Sequence, residues 1–185
     1  MDDILEYINS LKNLIDNINP EEVQKAIDVL KEAHKDKKRI FIVGNGGSAA
    51  TANHFACDFG KNAIQDDENR FKILSLSDNS SAITAYGNDN GYENVFSEQL
   101  KNLMEPGDVL FAISASGNSP NIIKAVELAD KKNGVIIGLS GFTGGKLKEM
   151  AHVNINVASD QYEPIEDLHL IITHIIVSWF KKNAN

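Results

Sequence analysis

His54 and Asp58 stand four residues apart in a stretch with helical character, so an imidazole and a carboxylate share one face. That pair suits a divalent metal or an acid/base relay, and it also suits a plain surface ion pair. Glu166 and His174 repeat the theme near the end of the chain, eight residues apart on one side of a helix. A helix rises about 1.5 Å per residue, so their backbones differ in height by about 12 Å, near the limit for one shared metal. Two polar turns could hold the rest of a substrate. The first, Gly44-Asn45-Gly46-Gly47-Ser48, follows the apolar run Ile40-Phe41-Ile42-Val43. The second, Ser114-Ala115-Ser116-Gly117-Asn118-Ser119, follows Asp108 to Ile113. A glycine turn opening a helix presents backbone N–H groups and a positive dipole end to an anion. Three hydroxyls within six positions add a phosphate cradle that needs no lysine. Neither turn is a G-x-G-x-x-G fingerprint, and no Lys-Ser or Lys-Thr follows the glycines as in a nucleotide-binding P-loop.

The elements that must position these groups alternate. Ile4, Leu5, Ile8, Leu11, Leu14, Ile15 and Ile18 mark one amphipathic helix, and Val23, Ala26, Ile27, Leu30 and Ala33 a second. Asn19 is the expected cap of the second, with Pro20 in its first turn and Glu22 reaching back. Strands are expected at Ile40–Val43, Phe71–Leu76, Asp108–Ile113, Val135–Leu139 and Val153–Val157. The helices between and after them are read from Ser48 (as N-cap) to Phe59, after Asn79, from Val95 to Met104, from Pro120 (capped by Ser119) to Lys132, from Lys146 to Met150 and from Pro164 to Lys182. Gly87 to Gly91 breaks the helix after Asn79 and leaves Asn88-Asp89 in a loop, and Gln65 to Arg70 reads as a solvated loop. Strands that are nearly all apolar and alternate with helices predict an α/β fold with a parallel sheet covered on both faces. Ligands then sit beyond the carboxyl ends of the strands, where both polar turns fall.

Composition narrows the classes. The 185 residues suit a single domain over 1–185, its first 36 residues the two opening helices, one of which is a candidate subunit interface. A net charge of -8 argues against a nucleic-acid surface, although a local basic patch is compatible with it. The single cysteine, Cys57, excludes an intramolecular disulfide and fits a reducing, cytoplasmic setting. The acidic, periodic start is unlike a signal peptide, and the apolar stretch Leu168–Phe180 is too short for a bilayer, so no membrane partner is expected.

Taken together, Gly44 to Ser48 with His54, Asn88-Asp89, Ser114 to Ser119 and Glu166-Asp167-Leu168-His169…His174 resemble the SIS (sugar isomerase) domain family, and within it the phosphoheptose isomerases. The likeness runs over nearly the whole chain. It implies a three-layer αβα sandwich with a five-stranded parallel sheet, in a homotetramer with active sites at subunit interfaces. It implies substrate contacts from Asn45, Gly46, Gly47, Ser48, Asn88, Asp89, Ser114, Ala115, Ser116, Ser119 and Glu166, with the serines on phosphate. His54, Asp58, Glu166 and His174 are the implied ligands of a divalent metal, Zn²⁺ first, and Asp58 and His174 the implied catalytic pair. Three positions depart from the family pattern: Asp58 for a glutamate, Glu166 for a glutamine and Ala115 for a threonine. The first sets the carboxylate back by about 1.5 Å, a distance that matters in proton transfer. The expected activity is aldose–ketose isomerisation of a sugar phosphate, with sedoheptulose 7-phosphate and D-glycero-D-manno-heptose 7-phosphate as the first pair. The alternatives are isomerisation of another phosphosugar, or a non-catalytic phosphosugar-binding or adaptor protein.

Overall fold

The computed structural model describes residues 1–64 and 69–183. Five strands form one parallel sheet: β1 (Arg39–Val43), β2 (Lys72–Ser75), β3 (Val109–Ser114), β4 (Val135–Gly141) and β5 (Val153–Val157), in the order β2-β1-β3-β4-β5. Eight helices accompany them among the described residues: α1 (Asp2–Asp16), α2 (Pro20–Lys35), α3 (Gly46–Asn62), α4 (Ser80–Asn90), α5 (Val95–Leu103), α6 (Pro120–Lys131), α7 (Gly145–Met150) and α8 (Tyr162–Asn183). A single 3₁₀ turn, Tyr92–Asn94, joins α4 to α5.

The side-chain period of two along each strand divides the core. Ile40 and Ile42 of β1, with Val109, Phe111 and Ile113 of β3, face α2, α3 and α8. Phe41, Val43, Leu110 and Ala112 face the opposite way, onto α5, α6 and α7. The result is the three-layer αβα sandwich expected from unbroken apolar strands. Its order places β1 and β3 side by side, although β2 lies between them in sequence, and β3 pairs with β1 up to Val43↔Ala112. The chain leaves β1 toward β2 on one side and returns to β3 on the other. This reversal is the switch point at which open α/β sheets form their ligand crevice.

Several boundaries differ from the sequence expectation. The helix expected from Ser48 starts at Gly46, with Asn45 in the N-cap position, and Gly46 turns the chain into it at a left-handed φ of 53° that glycine adopts without strain. Asn88 and Asp89 belong to the last turn of α4, which continues to Asn90 and is stopped by Gly91 at φ 87°. Four positions of the loop expected over 65–70, residues 65–68, lie outside the described residues. Asn19 caps α2 as expected, its side chain accepting from the Glu21 N–H at 2.9 Å. Among the described residues no helix is long and apolar enough to cross a membrane.

Candidate active site

The first turn continues directly from β1. Its Gly44 is clamped by Ser77, which follows β2: the Gly44 N–H donates to Ser77 Oγ at 3.2 Å and that hydroxyl donates back to Gly44 O at 2.9 Å. The amides of Gly46, Gly47 and Ser48 open α3, and no turn precedes them to supply acceptors. A Cβ on Gly47 would overlap the carboxylate of Glu166, the movable end of a side chain that reaches over from α8. Glu166 thus sits at the N-terminal end of α3.

Buried Ser114 ends β3 and begins the second turn. The Ser114 hydroxyl is 3.4 Å from that of Ser119, and Ser116 Oγ accepts from the Asn118 N–H at 3.2 Å. Ser119 occupies the N-cap position of α6 but its side chain makes no capping bond, contrary to the sequence expectation. The Ile122 N–H is taken instead by Asn121 Oδ1 at 3.0 Å, which releases the Ser119 hydroxyl for a ligand. Ala115 is buried and contributes its backbone, whose carbonyl accepts from the Gly141 N–H. Asn88 and Asp89 lie exposed at the end of α4, joined by a 2.8 Å bond from Asn88 Nδ2 to Asp89 Oδ1.

The third part of the site is formed where α3 packs on α8. His54 and His174, separated by 120 residues in sequence, bring their Nε2 atoms to 2.9 Å, one donating to the other. Asp58 Oδ2 lies 3.4 Å from His54 Nε2 and 3.8 Å from His174 Nε2. The three ligand atoms fall within 4.8 Å of one another. In a tetrahedral zinc site, nitrogen and oxygen ligands about 2.0–2.2 Å from the ion stand roughly 3.3 Å apart. The chemistry and spacing of His54, Asp58 and His174 therefore fit three protein ligands of a divalent ion. Glu166 stays outside this group, two helical turns up α8 and against Gly47, where the rise between positions 166 and 174 carries it.

Sequence reasoning missed four contributors. Ser77 clamps Gly44, Asn53 accepts from the Ser75 hydroxyl at 2.6 Å, and Asn121 and Tyr92 bond to Asn45. Ser77 was open to the same strand-end rule that selected the two turns. The others carry no local signal, since each is defined by a partner distant in sequence.

A doubly covered parallel sheet with two polar turns at its switch point, and an imidazole–carboxylate cluster where α3 meets α8, is the layout of an α/β domain with a polar ligand crevice. The family model described as "SIS domain" matches residues 6–141. A phosphoheptose isomerase from Helicobacter hepaticus is 42% identical over 154 residues, 83% of this chain and 78% of that protein. Another from Sulfurimonas denitrificans is 40% identical over 181 residues, covering 97% and 89%. The solved phosphoheptose isomerase of Neisseria gonorrhoeae superposes with a TM-score of 0.90 at 30% identity over 98% of both chains. That of Francisella tularensis superposes with 0.89 at 27% identity, again over 98% of both. The chain belongs to the SIS domain family and, within it, to the phosphoheptose isomerases.

Proposed function

We propose that this protein interconverts sedoheptulose 7-phosphate and D-glycero-D-manno-heptose 7-phosphate, an aldose–ketose isomerisation that feeds heptose synthesis. The observation that carries the reading is the contact of His54, Asp58 and His174 across α3 and α8. An adaptor or sensor needs a phosphate cradle at most, and it has no use for two imidazoles and a carboxylate converged on one point.

In this reading Ser114, Ser116 and Ser119, with the opening amides of α6, hold the phosphate. Anchoring it lets remote binding energy position the reacting end of the sugar. Asn45, Gly46, Gly47 and Ser48, with Asn88 and Asp89, receive the sugar hydroxyls, and Glu166 borders that space from α8. Asp58 takes the proton from C1 of the ketose, His174 delivers a proton at C2, and the hydroxyl proton passes from O1 to O2 as the carbonyl moves to C1. His54, Asp58 and His174 are the residues that would hold a divalent ion, zinc first. A bound ion would supply charge stabilisation to the enediolate oxygens. The working unit in this proposal is a cytoplasmic homotetramer, each chain one domain over 1–185, with α1 at a subunit interface.

NMR of sedoheptulose 7-phosphate in D₂O with the purified protein, with and without added Zn²⁺, tests the reading. The expected product is an aldoheptose 7-phosphate carrying deuterium at C2. A sugar-phosphate-dependent rise in Tm without conversion of this or any other ketose phosphate would overturn the isomerase reading.

A further inference from the structure

The two polar turns diverge as soon as the β1–β3 ladder ends at Val43↔Ala112. Two residues beyond that point a side-chain bridge rejoins them. Asn45 Nδ2 donates to Asn121 Oδ1 at 2.8 Å, and Asn121 Nδ2 donates to Asn45 Oδ1, also at 2.8 Å. Such a reciprocal carboxamide pair fixes both amide planes, because rotation of either would set like groups against each other. Asn121 is 2% exposed and its Oδ1 also accepts the Ile122 N–H, so its orientation is set from its own helix. Tyr92, just past the glycine that ends α4, donates its hydroxyl to Asn45 Oδ1 at 3.1 Å. The 3₁₀ turn that follows the helix carrying Asn88 and Asp89 therefore meets the same amide.

These bonds also explain why two N-cap positions go unused in the ordinary sense. Asn45 stands at the N-cap of α3 without capping it, and Ser119 at that of α6 without capping it. The Asn45 amide is committed to Asn121, and Asn121 serves α6, which leaves the α3 amides and the Ser119 hydroxyl facing the crevice. We propose that Asn121 is a positioning residue for the isomerase reaction. Through the Asn45 amide it sets the distance between the turn that receives the sugar and the loop that holds its phosphate. This rests on the function proposed above. A substrate tethered at the phosphate reacts only if its other end is placed to within a fraction of an ångström, so losing the bridge affects the chemical step more than phosphate binding.

Two variants test it. Asn121→Ala is expected to lower kcat for sedoheptulose 7-phosphate by about ten- to a hundred-fold. KM and the inhibition constant of inorganic phosphate should change much less than kcat, since Ser114 and Ser116 stay in place even where Ser119 turns back to the freed Ile122 N–H. Asn121→Asp gives a sharper readout. Its protonated carboxyl can replace the amide, donating to Asn45 Oδ1 and accepting from Nδ2, whereas its carboxylate sets oxygen against oxygen. The kcat ratio of Asn121→Asp to wild type should therefore climb as pH falls from 8 to 5. A flat ratio, or wild-type kcat in Asn121→Ala, overturns the proposal. The side-chain amide signals of Asn45 in ¹H–¹⁵N spectra report the bridge without turnover. They should shift in Asn121→Ala and return toward wild-type positions in Asn121→Asp at acid pH. Unchanged Asn45 signals in Asn121→Ala would sink the positioning role even in an active enzyme. Shifted signals with an inactive wild type would instead indict the choice of substrate.

Discussion

Asp58 is the shortest carboxylate that could reach two imidazoles from α3, and its Oδ2 does so at 3.4 and 3.8 Å. A proton moving between carbon and either group must cross distances of this order, so small displacements matter. Asp58→Asn keeps the shape and removes the base, and His174→Ala removes the partner. Each is expected to cut turnover by about a hundred-fold or more while leaving inorganic-phosphate binding, followed by calorimetry, within about two-fold. Unchanged turnover in both variants would remove this pair from the mechanism. The spacing of His54 and Asp58 was readable as one helical face, whereas Glu166, expected among the metal ligands despite a rise of about 12 Å from His174, stays outside the cluster. What the spacing could not convey was where Glu166 goes instead. It lies against Gly47 at the start of α3, a contact that depends on how α8 packs on α3 and that no local pattern announces.

α8 shows how an element is fixed by what it buries. Its inward face carries His169, 1% exposed, whose Nε2–H donates to Ser140 O at 3.1 Å while Nδ1 is buried without a partner. Burial pushes its pKa down to about 4, only partly offset by the bond to the Ser140 carbonyl. The ordinary histidine value is about 6.5, so the unfolded chain takes up this proton before the folded one does. The stabilisation is complete above about pH 6.5 and is lost as pH falls toward 4, by roughly 3 kcal/mol for a shift of this size. Urea midpoints at pH 7, 5.5 and 4.5 should fall steadily, and less steeply in His169→Gln, whose side chain does not titrate; parallel slopes would refute the assignment. The serine loop depends on packing in the same way. Gly117 has φ 63°, and a Cβ there would strike the Gly144 carbonyl that opens α7. Gly117→Ala should therefore weaken phosphate binding as well as stability, since backbone rather than a flexible side chain must move; unaltered phosphate titrations would contradict this. The parallel sheet was legible from the apolar runs of β1, β3 and β4, whereas the edge strands β2 and β5 carry polar residues and were placed by the βα alternation. The start of α3 was not, because two glycines opening a helix run against propensity and are held there by the packing around them.

The molecule as a whole leaves apolar surface that its own core does not use. Leu11 and Leu14 of α1 pack on the core, and Tyr7 donates to Asp167 at 2.7 Å, which pushes the Tyr7 pKa up to about 12. The other side of the same helix exposes Ile4 at 65%, Leu5 at 53% and Ile8 at 42%. A second apolar region, a groove of about 520 Å³ along α8, is lined by Ile171, His174, Ile175 and Trp179. His174 thus belongs both to the reacting cluster and to this uncovered groove, and half of its side chain remains open to water at 48%. A proton relay works better with water excluded, because fixed dipoles and charges act more strongly in a low dielectric. A second copy of the chain seated on α8 would provide that exclusion, which ties assembly to catalysis. The expected solution mass by light scattering is four times the 20.3 kDa of one chain. Ile175→Asp buries a charge in the proposed contact, so it should shift the mass toward smaller species and lower kcat together. Ile8→Asp should act through α1 on mass first, with turnover following the fraction still assembled. A monomer with full turnover in either variant would show that one chain completes the site by itself.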